Sequence, residues 1–160
     1  MIETDFINLK VNGEKVTVRT GDRLLQAIEK TQNSVPTLCY DERIGPQGTC
    51  RMCLVEVKKN NISNYVASCT SLAEDNIEIF THSETLIDYR KTLLELSLSE
   101  IKWDDQSMEK TKLTNNEFSE AVKEYKPENY FPELNKRKSI KEDLNPFIAR
   151  DYDKCIACYR

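Results

Sequence analysis

Six cysteines are the residues of this chain best suited to chemistry, and they fall in two groups. Cys39, Cys50, Cys53 and Cys69 lie within 31 residues, whereas Cys155 and Cys158 sit near the end of the 160. Thiolates bind iron–sulfur clusters or zinc, and a thiol pair can also cycle through a disulfide. The first group reads Cys39-x10-Cys50-x2-Cys53-x15-Cys69. A 2Fe–2S unit takes four thiolates. The Cys50/Cys53 pair can reach one site from a single tight loop, and folding must bring Cys39 and Cys69 to it. Zinc sites more often use two close pairs, and here one pair stands between two singles. Spacing alone ranks iron–sulfur ligation first and leaves zinc or reactive thiols open. Buried anionic sulfur also needs hydrogen-bond donors. Gly45 and Gly48 allow the backbone to turn its amides inward, and those of Thr49, Arg51 and Met52 are placed to face sulfur.

The elements that must hold these cysteines follow from periodicity. Residues 6–19 form a hairpin: Ile7, Leu9 and Val11 alternate with polar neighbours, Asn12-Gly13 turns, and Val16 and Val18 resume. A short helix follows, with Asp22 as its expected cap and Leu24, Leu25, Ala27 and Ile28 as its apolar face. An irregular loop over 39–53 carries three of the cysteines. Strands are expected at Leu54–Val57, Tyr65–Cys69 and Ile77–Phe80, with a turn at Asn60-Asn61. Together these elements describe a small mixed sheet crossed by one helix. A long helix comes next, with Thr81 and Glu84 at capping-box spacing and Ile87, Leu94, Leu98 and Ile101 as its stripe, flanked by Leu86 and Leu93. A further helix spans 116–126 around Phe118, Ala121, Val122 and Tyr125, ended by Pro127.

Composition limits the remaining possibilities. With 27 acidic and 23 basic residues the net charge is −4, which excludes a general nucleic-acid binder held by phosphate attraction. No run approaches the roughly 18 apolar residues of a membrane span. The opening Met-Ile-Glu-Thr-Asp-Phe is too polar for a signal peptide. Apolar residues make up 39% and charged ones 31%, so part of the chain is solvated or awaits a partner. The expectation is a cytoplasmic protein, in which cysteines serve metal or redox chemistry rather than disulfides.

Three short motifs resemble one redox family. They are Val35-Pro-Thr-Leu-Cys39-Tyr40, then Gly48-Thr-Cys50-Arg51-Met-Cys53-Leu-Val-Glu-Val57, then Ala67-Ser-Cys69-Thr70. Together they are similar to the N-terminal 2Fe–2S ferredoxin-like domain shared by three kinds of protein. These are the large iron–sulfur subunit of NADH:quinone oxidoreductase, the α subunit of NAD-dependent formate dehydrogenases, and iron-only hydrogenases. The resemblance implies an α+β, β-grasp fold for residues 1–82, with Cys39, Cys50, Cys53 and Cys69 as 2Fe–2S ligands. Asn145 to Arg160, containing Cys155 and Cys158, resembles the entry to a two-cluster ferredoxin segment, whose pattern would continue as C-x2-C-x2-C-x3-C. The chain stops before a third cysteine, so these two form an incomplete 4Fe–4S half-site and no 4Fe–4S cluster is expected. Many family members also carry a segment of one histidine and three cysteines after the long helix. Here Leu93 to Trp103 has neither residue, which counts against a quinone-oxidoreductase subunit and points toward a formate dehydrogenase.

The remaining features take plainer readings. His82, the sole histidine, is expected to be a surface or capping residue. Lys136-Arg-Lys138 with Lys141 lies among acids and reads as a solvated stretch. Gly45-x-x-Gly48 lacks the Lys-Ser/Thr of a phosphate loop. The resulting organisation is a β-grasp 2Fe–2S domain at 1–82, a packing helix at 83–102, a charged tether with a helical segment at 103–145, and a truncated 4Fe–4S segment start at 146–160. Its expected function is one-electron transfer as the N-terminal module of a larger, formate dehydrogenase-like oxidoreductase. Catalysis would lie beyond residue 160, and an NAD-linked flavin/iron–sulfur subunit would be the partner. The alternative is a zinc-stabilised β-grasp interaction module without redox function.

Overall fold

The computed structural model describes residues 5–101, 116–128, 147 and 155–159. They divide into two compact units, the chain up to Arg90 with Tyr159 forming one and Lys91–Cys158 the other.

In the first unit, β1 (Phe6–Val11) and β2 (Glu14–Arg19) pair antiparallel, from Phe6↔Arg19 to Val11↔Glu14. Asn12 (φ +49°) and Gly13 (φ +85°) form the two-residue turn, whose left-handed backbone matches the strand twist. The alternation sends Leu9, Val11, Val16 and Val18 into the core. Helix α1 (Leu24–Glu29) lays Leu24, Ala27 and Ile28 against that face. It starts one residue later than Asp22 would require of a cap. Gln26 instead reaches back, its side-chain oxygen accepting from the Arg23 amide at 2.8 Å, while the Asp22 carboxylate accepts from the Arg19 amide at 3.0 Å.

Beyond α1 come the two-residue strands β3 (Tyr40–Asp41) and β4 (Gly45–Pro46), then β5 (Leu54–Lys59), β6 (Ile62–Ala67) and β7 (Glu78–Phe80). The large sheet has the order β2-β1-β7-β5-β6, with β1 and β7 parallel. This is the mixed sheet crossed by one helix that the strand pattern predicts, in the α+β, β-grasp arrangement that the resemblance implied. Ile79, the middle residue of β7, is fully buried and sits beside both Val11 and Val57. Asn12 ties the hairpin tip to the end of β7. Its amide nitrogen donates to Ile79 O at 2.8 Å, its side-chain oxygen accepts from Thr81 N at 3.0 Å, and its Nδ2 donates to Thr81 Oγ1 at 2.7 Å.

Thr81 is therefore occupied and does not cap the long helix α2 (Glu84–Glu100). Ser83 does, its hydroxyl accepting from the Leu86 amide at 3.2 Å. The buried stripe of α2 is Leu86, Arg90, Leu94 and Leu98, continued by Ile101, while Ile87 faces outward. The steps of four residues, rather than the sequence of apolar side chains, set the inward face.

In the second unit, α3 (Glu117–Tyr125) buries Phe118, Ala121 and Tyr125, with Val122 half-buried. The Asn116 side chain accepts from Ser119 N at 2.9 Å, and left-handed Lys126 precedes Pro127. Residues 102–115, 129–146, 148–154 and 160 lie outside the described residues, and so do the basic stretch at 136–141, most of the tether expected at 103–145 and most of the segment expected at 146–160. Among the described residues no helix is long and apolar enough to cross a membrane.

Candidate metal centre

Four thiols converge on the loop between β3 and β5, and three neighbouring elements fix them there. The β3–β4 ribbon, paired Tyr40↔Pro46 and Asp41↔Gly45, folds the chain back so that Cys39 and Cys50 meet. The Cys50 amide points at Cys39 Sγ, 3.5 Å away. Gly48 adopts φ +66°, and a Cβ there would come within 3.1 Å of Thr70 Cγ2, so this approach of loop to loop suits glycine. Cys53 immediately precedes strand β5, and Cys69 follows β6. Because Leu54 pairs with Ala67, the two strands bring these cysteines side by side, Sγ to Sγ at 3.3 Å.

Helix α1 holds the Cys69 loop from the other side. The first amides of a helix have no intrahelical acceptor. Here Leu24 N donates to Ser71 O at 2.9 Å and Leu25 N to Ser68 O at 3.0 Å, so the helix start and the cysteine loop satisfy each other. Ser68 also donates to Cys53 O, through its amide at 3.1 Å and its hydroxyl at 2.9 Å. Cys39, Cys53 and Cys69 are buried and Cys50 half-buried, and none of the six cysteines is in a disulfide.

The thiols thus form two pairs, Cys39 with Cys50 and Cys53 with Cys69. One zinc ion would require all four sulfurs to converge on a single point at about 2.3 Å. Among the described residues no group of three or more His, Cys, Asp or Glu side chains is arranged to hold a single metal ion. Two pairs with amides turned toward them suit a two-iron unit better. The donor set fits: four thiols with backbone N–H groups around them can carry the negative charge of iron-bound sulfur.

Charge within the site behaves accordingly. The hydrogen bond from Cys69, with others from the Cys69 backbone, Ser68 and its own amide, outweighs burial and brings Cys53 down to about 6. The same bond, then burial, pushes Cys69 up, since it keeps the proton that Cys53 gives away. Burial raises Cys39, but the amide and side-chain hydrogen bonds of Cys50 and Thr49 together leave it below the ordinary thiol value. Burial pushes Cys50 up to about 11 despite the amides of Met52 and Leu38. One thiol of each pair ionises readily and the other resists, because adjacent thiolates repel. A cation is what lets all four ionise.

A pH dependence follows for the metal-free protein. Unfolded thiols titrate at the ordinary 9.0, whereas folded Cys53 titrates at about 6. Between these values the folded state binds fewer protons, as the lowering of Cys39 also favours, so stability rises with pH across that window. Above 9.0 the sign reverses, because Cys69 and Cys50 keep protons that the unfolded chain releases. The thermal midpoint of the metal-free protein under reducing conditions should climb from pH 6 to pH 9 and decline beyond. A flat profile would contradict this account.

Of the amides expected to face sulfur, those of Thr49 and Met52 do so. Arg51 instead takes a left-handed backbone, φ +58°, and its carbonyl accepts from Leu54 N at 3.1 Å. His82 is exposed and its Nδ1 lies 2.7 Å from Thr81 Oγ1, as a surface residue at a helix entry would. Cys155 is exposed, with its sulfur accepting from Ala157 N at 3.4 Å, and Cys158 is half-buried. Sequence reasoning missed Leu38 and Ser68 as donors. It also missed Arg90, which is fully buried and donates from Nε to Met52 O at 3.2 Å and from Nη2 to Leu54 O at 2.8 Å and Thr81 O at 2.9 Å. Its signal was a charged residue at the four-residue step between Leu86 and Leu94.

Comparison with known proteins agrees with this geometry. The 75 kDa subunit of NADH-ubiquinone oxidoreductase from Reclinomonas americana is 40% identical over 93 residues, covering 58% of this chain and 13% of that subunit. The mitochondrial 78 kDa subunit from Neurospora crassa is 28% identical over 159 residues, covering 96% of this chain and 20% of the subunit. The α subunit of an NADPH-Fe(3+) oxidoreductase from Geobacter sulfurreducens is 30% identical over 93 residues, covering 58% of this chain and 11% of its own. The chain thus spans a fifth or less of the length of these curated relatives. A chain of an NAD+-reducing [NiFe]-hydrogenase in the H2-reduced state shares the fold, with a TM-score of 0.70 at 22% identity over 95% of this chain and 62% of its own. Quinone-oxidoreductase subunits are therefore among the relatives despite the missing histidine and cysteines after α2. These comparisons support the wider family. Residues 4–84 match the 2Fe-2S iron-sulfur cluster binding domain, and the chain belongs to that family.

Proposed function

We propose that this chain transfers electrons one at a time through a 2Fe–2S cluster held by Cys39, Cys50, Cys53 and Cys69, with Cys39 and Cys50 on one iron and Cys53 and Cys69 on the other. The observation that carries this is the pairing itself: two sulfur pairs, three of the four cysteines buried, with amides turned toward them. When bound, the cluster supplies a one-electron change of oxidation state without making or breaking a substrate bond. The chain's residues do the rest. Leu38, Thr49, Cys50 and Met52 direct amides at the first sulfur pair, and Ser68 and the Cys69 backbone serve the second. The buried Met52 and Leu38 side chains keep water from the loop. Such hydrogen bonding and burial set a cluster's potential.

The relatives are oxidoreductase subunits, and we read this chain as an electron-transfer module of such an assembly. In that reading catalysis resides in sequence beyond residue 160, and electrons pass to or from an NAD-linked flavin and iron–sulfur subunit. Six cysteines free of disulfides suit a reducing, cytoplasmic setting. Residues 1–82 are the functional domain, and Cys155 and Cys158 lie outside it.

The test is iron, sulfide and zinc per chain on anaerobically purified protein, with spin-resonance spectra before and after dithionite. About two iron and two sulfide per chain, with a paramagnetic signal appearing only on reduction, is the expected result. Zinc without sulfide would overturn the electron-transfer reading in favour of a structural module.

A further inference from the structure

A buried guanidinium lies against the backbone of the second sulfur pair. Arg90 has no solvent exposure, and three backbone carbonyls accept from it: Met52 O, Leu54 O and Thr81 O. Two of these flank Cys53. The third belongs to the residue that Asn12 ties to the hairpin, so α2, the cysteine turn and the end of β7 are fastened at one point.

The Met52 and Leu54 contacts also place charge. Met52 and Leu54 flank Cys53 in sequence, so a guanidinium bonded to both carbonyls sits beside the cysteine turn, with no solvent exposure. A charge removed from water is screened far less than one at the surface. A one-electron gain adds one negative charge to the iron and its sulfur ligands, which a buried cation beside them favours.

We propose that Arg90 is a positioning residue for the cluster, clamping the Met52–Leu54 turn so that Cys53 stays in place as a ligand and, as a buried cation beside that turn, raising the site's affinity for an electron. The proposal rests on the four-cysteine reading above. It extends that reading to a residue on another element that touches no sulfur.

The experiment compares the full chain with its Arg90→Gln and Arg90→Lys variants after anaerobic reconstitution. It reads iron and sulfide per chain, the midpoint potential by mediated titration, and the melting temperature of the metal-free form. At the wild-type midpoint, the reduced-to-oxidised ratio should fall about tenfold in Arg90→Gln, a shift of about 59 mV for one electron. Arg90→Lys, which keeps the charge and loses the fork, should fall between. Faster iron loss from a variant whose metal-free form melts like wild type would also support the proposal. An unchanged potential with full iron retention in either variant would overturn it. So would loss of the fold in both variants, because that makes Arg90 a support of the fold alone. Absence of iron and sulfide from the wild type would instead refute the cluster reading itself, which separates the two failures.

Discussion

Cys53→Ser and Cys69→Ser each remove most of the 2Fe–2S loading, by more than about tenfold in iron and sulfide per chain, while Cys155→Ser and Cys158→Ser leave it unchanged. Loss of even a residue that only hydrogen-bonds a metal ligand typically costs about 10–100-fold in metal affinity, so loss of a ligand lies at or beyond that range. Cys53 and Cys69 are the closest sulfur pair, 3.3 Å apart, and each sets the other's protonation. A serine hydroxyl at either position gives up its proton far less readily than a thiol, so the iron on that side lacks a fourth strong ligand. The C-terminal pair serves as the control. A zinc site built from Cys50, Cys53, Cys155 and Cys158 would reverse the pattern, with Cys69→Ser harmless and Cys155→Ser damaging. Visible absorption and metal analysis on the four variants decide between the two.

Ile79→Ala is the second change with a large expected effect. Ile79 is fully buried in the middle strand of the sheet, beside Val11 on β1 and Val57 on β5. It belongs to the same apolar cluster as Leu24, Ala27 and Ile28 of α1. Truncation leaves a cavity that the two flanking strands cannot both close, at a cost of about 2–5 kcal/mol. Domains of this size have about 5–15 kcal/mol in total, so a large share of the stability is lost. The urea midpoint of the metal-free protein should drop accordingly at unchanged slope. Cluster binding draws on folding free energy, so iron retention should weaken although no ligand has been touched. Full stability in this variant would mean that β7 is not the strand on which the core closes.

The hairpin, α1 and the order of the strands were legible because each rests on a local signal. Asn12-Gly13 and strict alternation specify a two-residue hairpin, and the buried positions of α1 recur at helical spacing. What sequence could not show were choices made by tertiary partners. Asp22 and Gln26 both fit a helix start, and the helix register decided for Gln26. Thr81 has capping spacing, but the Asn12 side chain claims it, leaving Ser83 to cap α2. The two-residue strands β3 and β4 carry too few residues for any periodicity. An apolar scan along α2 passed over Arg90 and took Ile87 instead, because a buried guanidinium becomes affordable only where carbonyls from distant segments happen to meet it. Which cysteines pair depends on the Leu54↔Ala67 register, which no spacing reveals.

The parallel pairing of β1 with β7 also bears on how the protein is made. It joins Lys10 to Glu78 and Val11 to Ile79, so the sheet cannot close until the chain has been synthesised through residue 80. All four cysteines of the proposed cluster lie between those strands in sequence. Pairings this distant must meet the entropy of closing a long loop before any contact rewards it, which slows folding relative to local structure. On the ribosome, at about 5–20 residues per second, Cys39 therefore waits seconds as an unsheltered thiol before Cys69 and β7 emerge to complete its surroundings. Iron delivery during that interval would meet only part of a ligand set, so cofactor insertion belongs after closure of the sheet rather than alongside elongation.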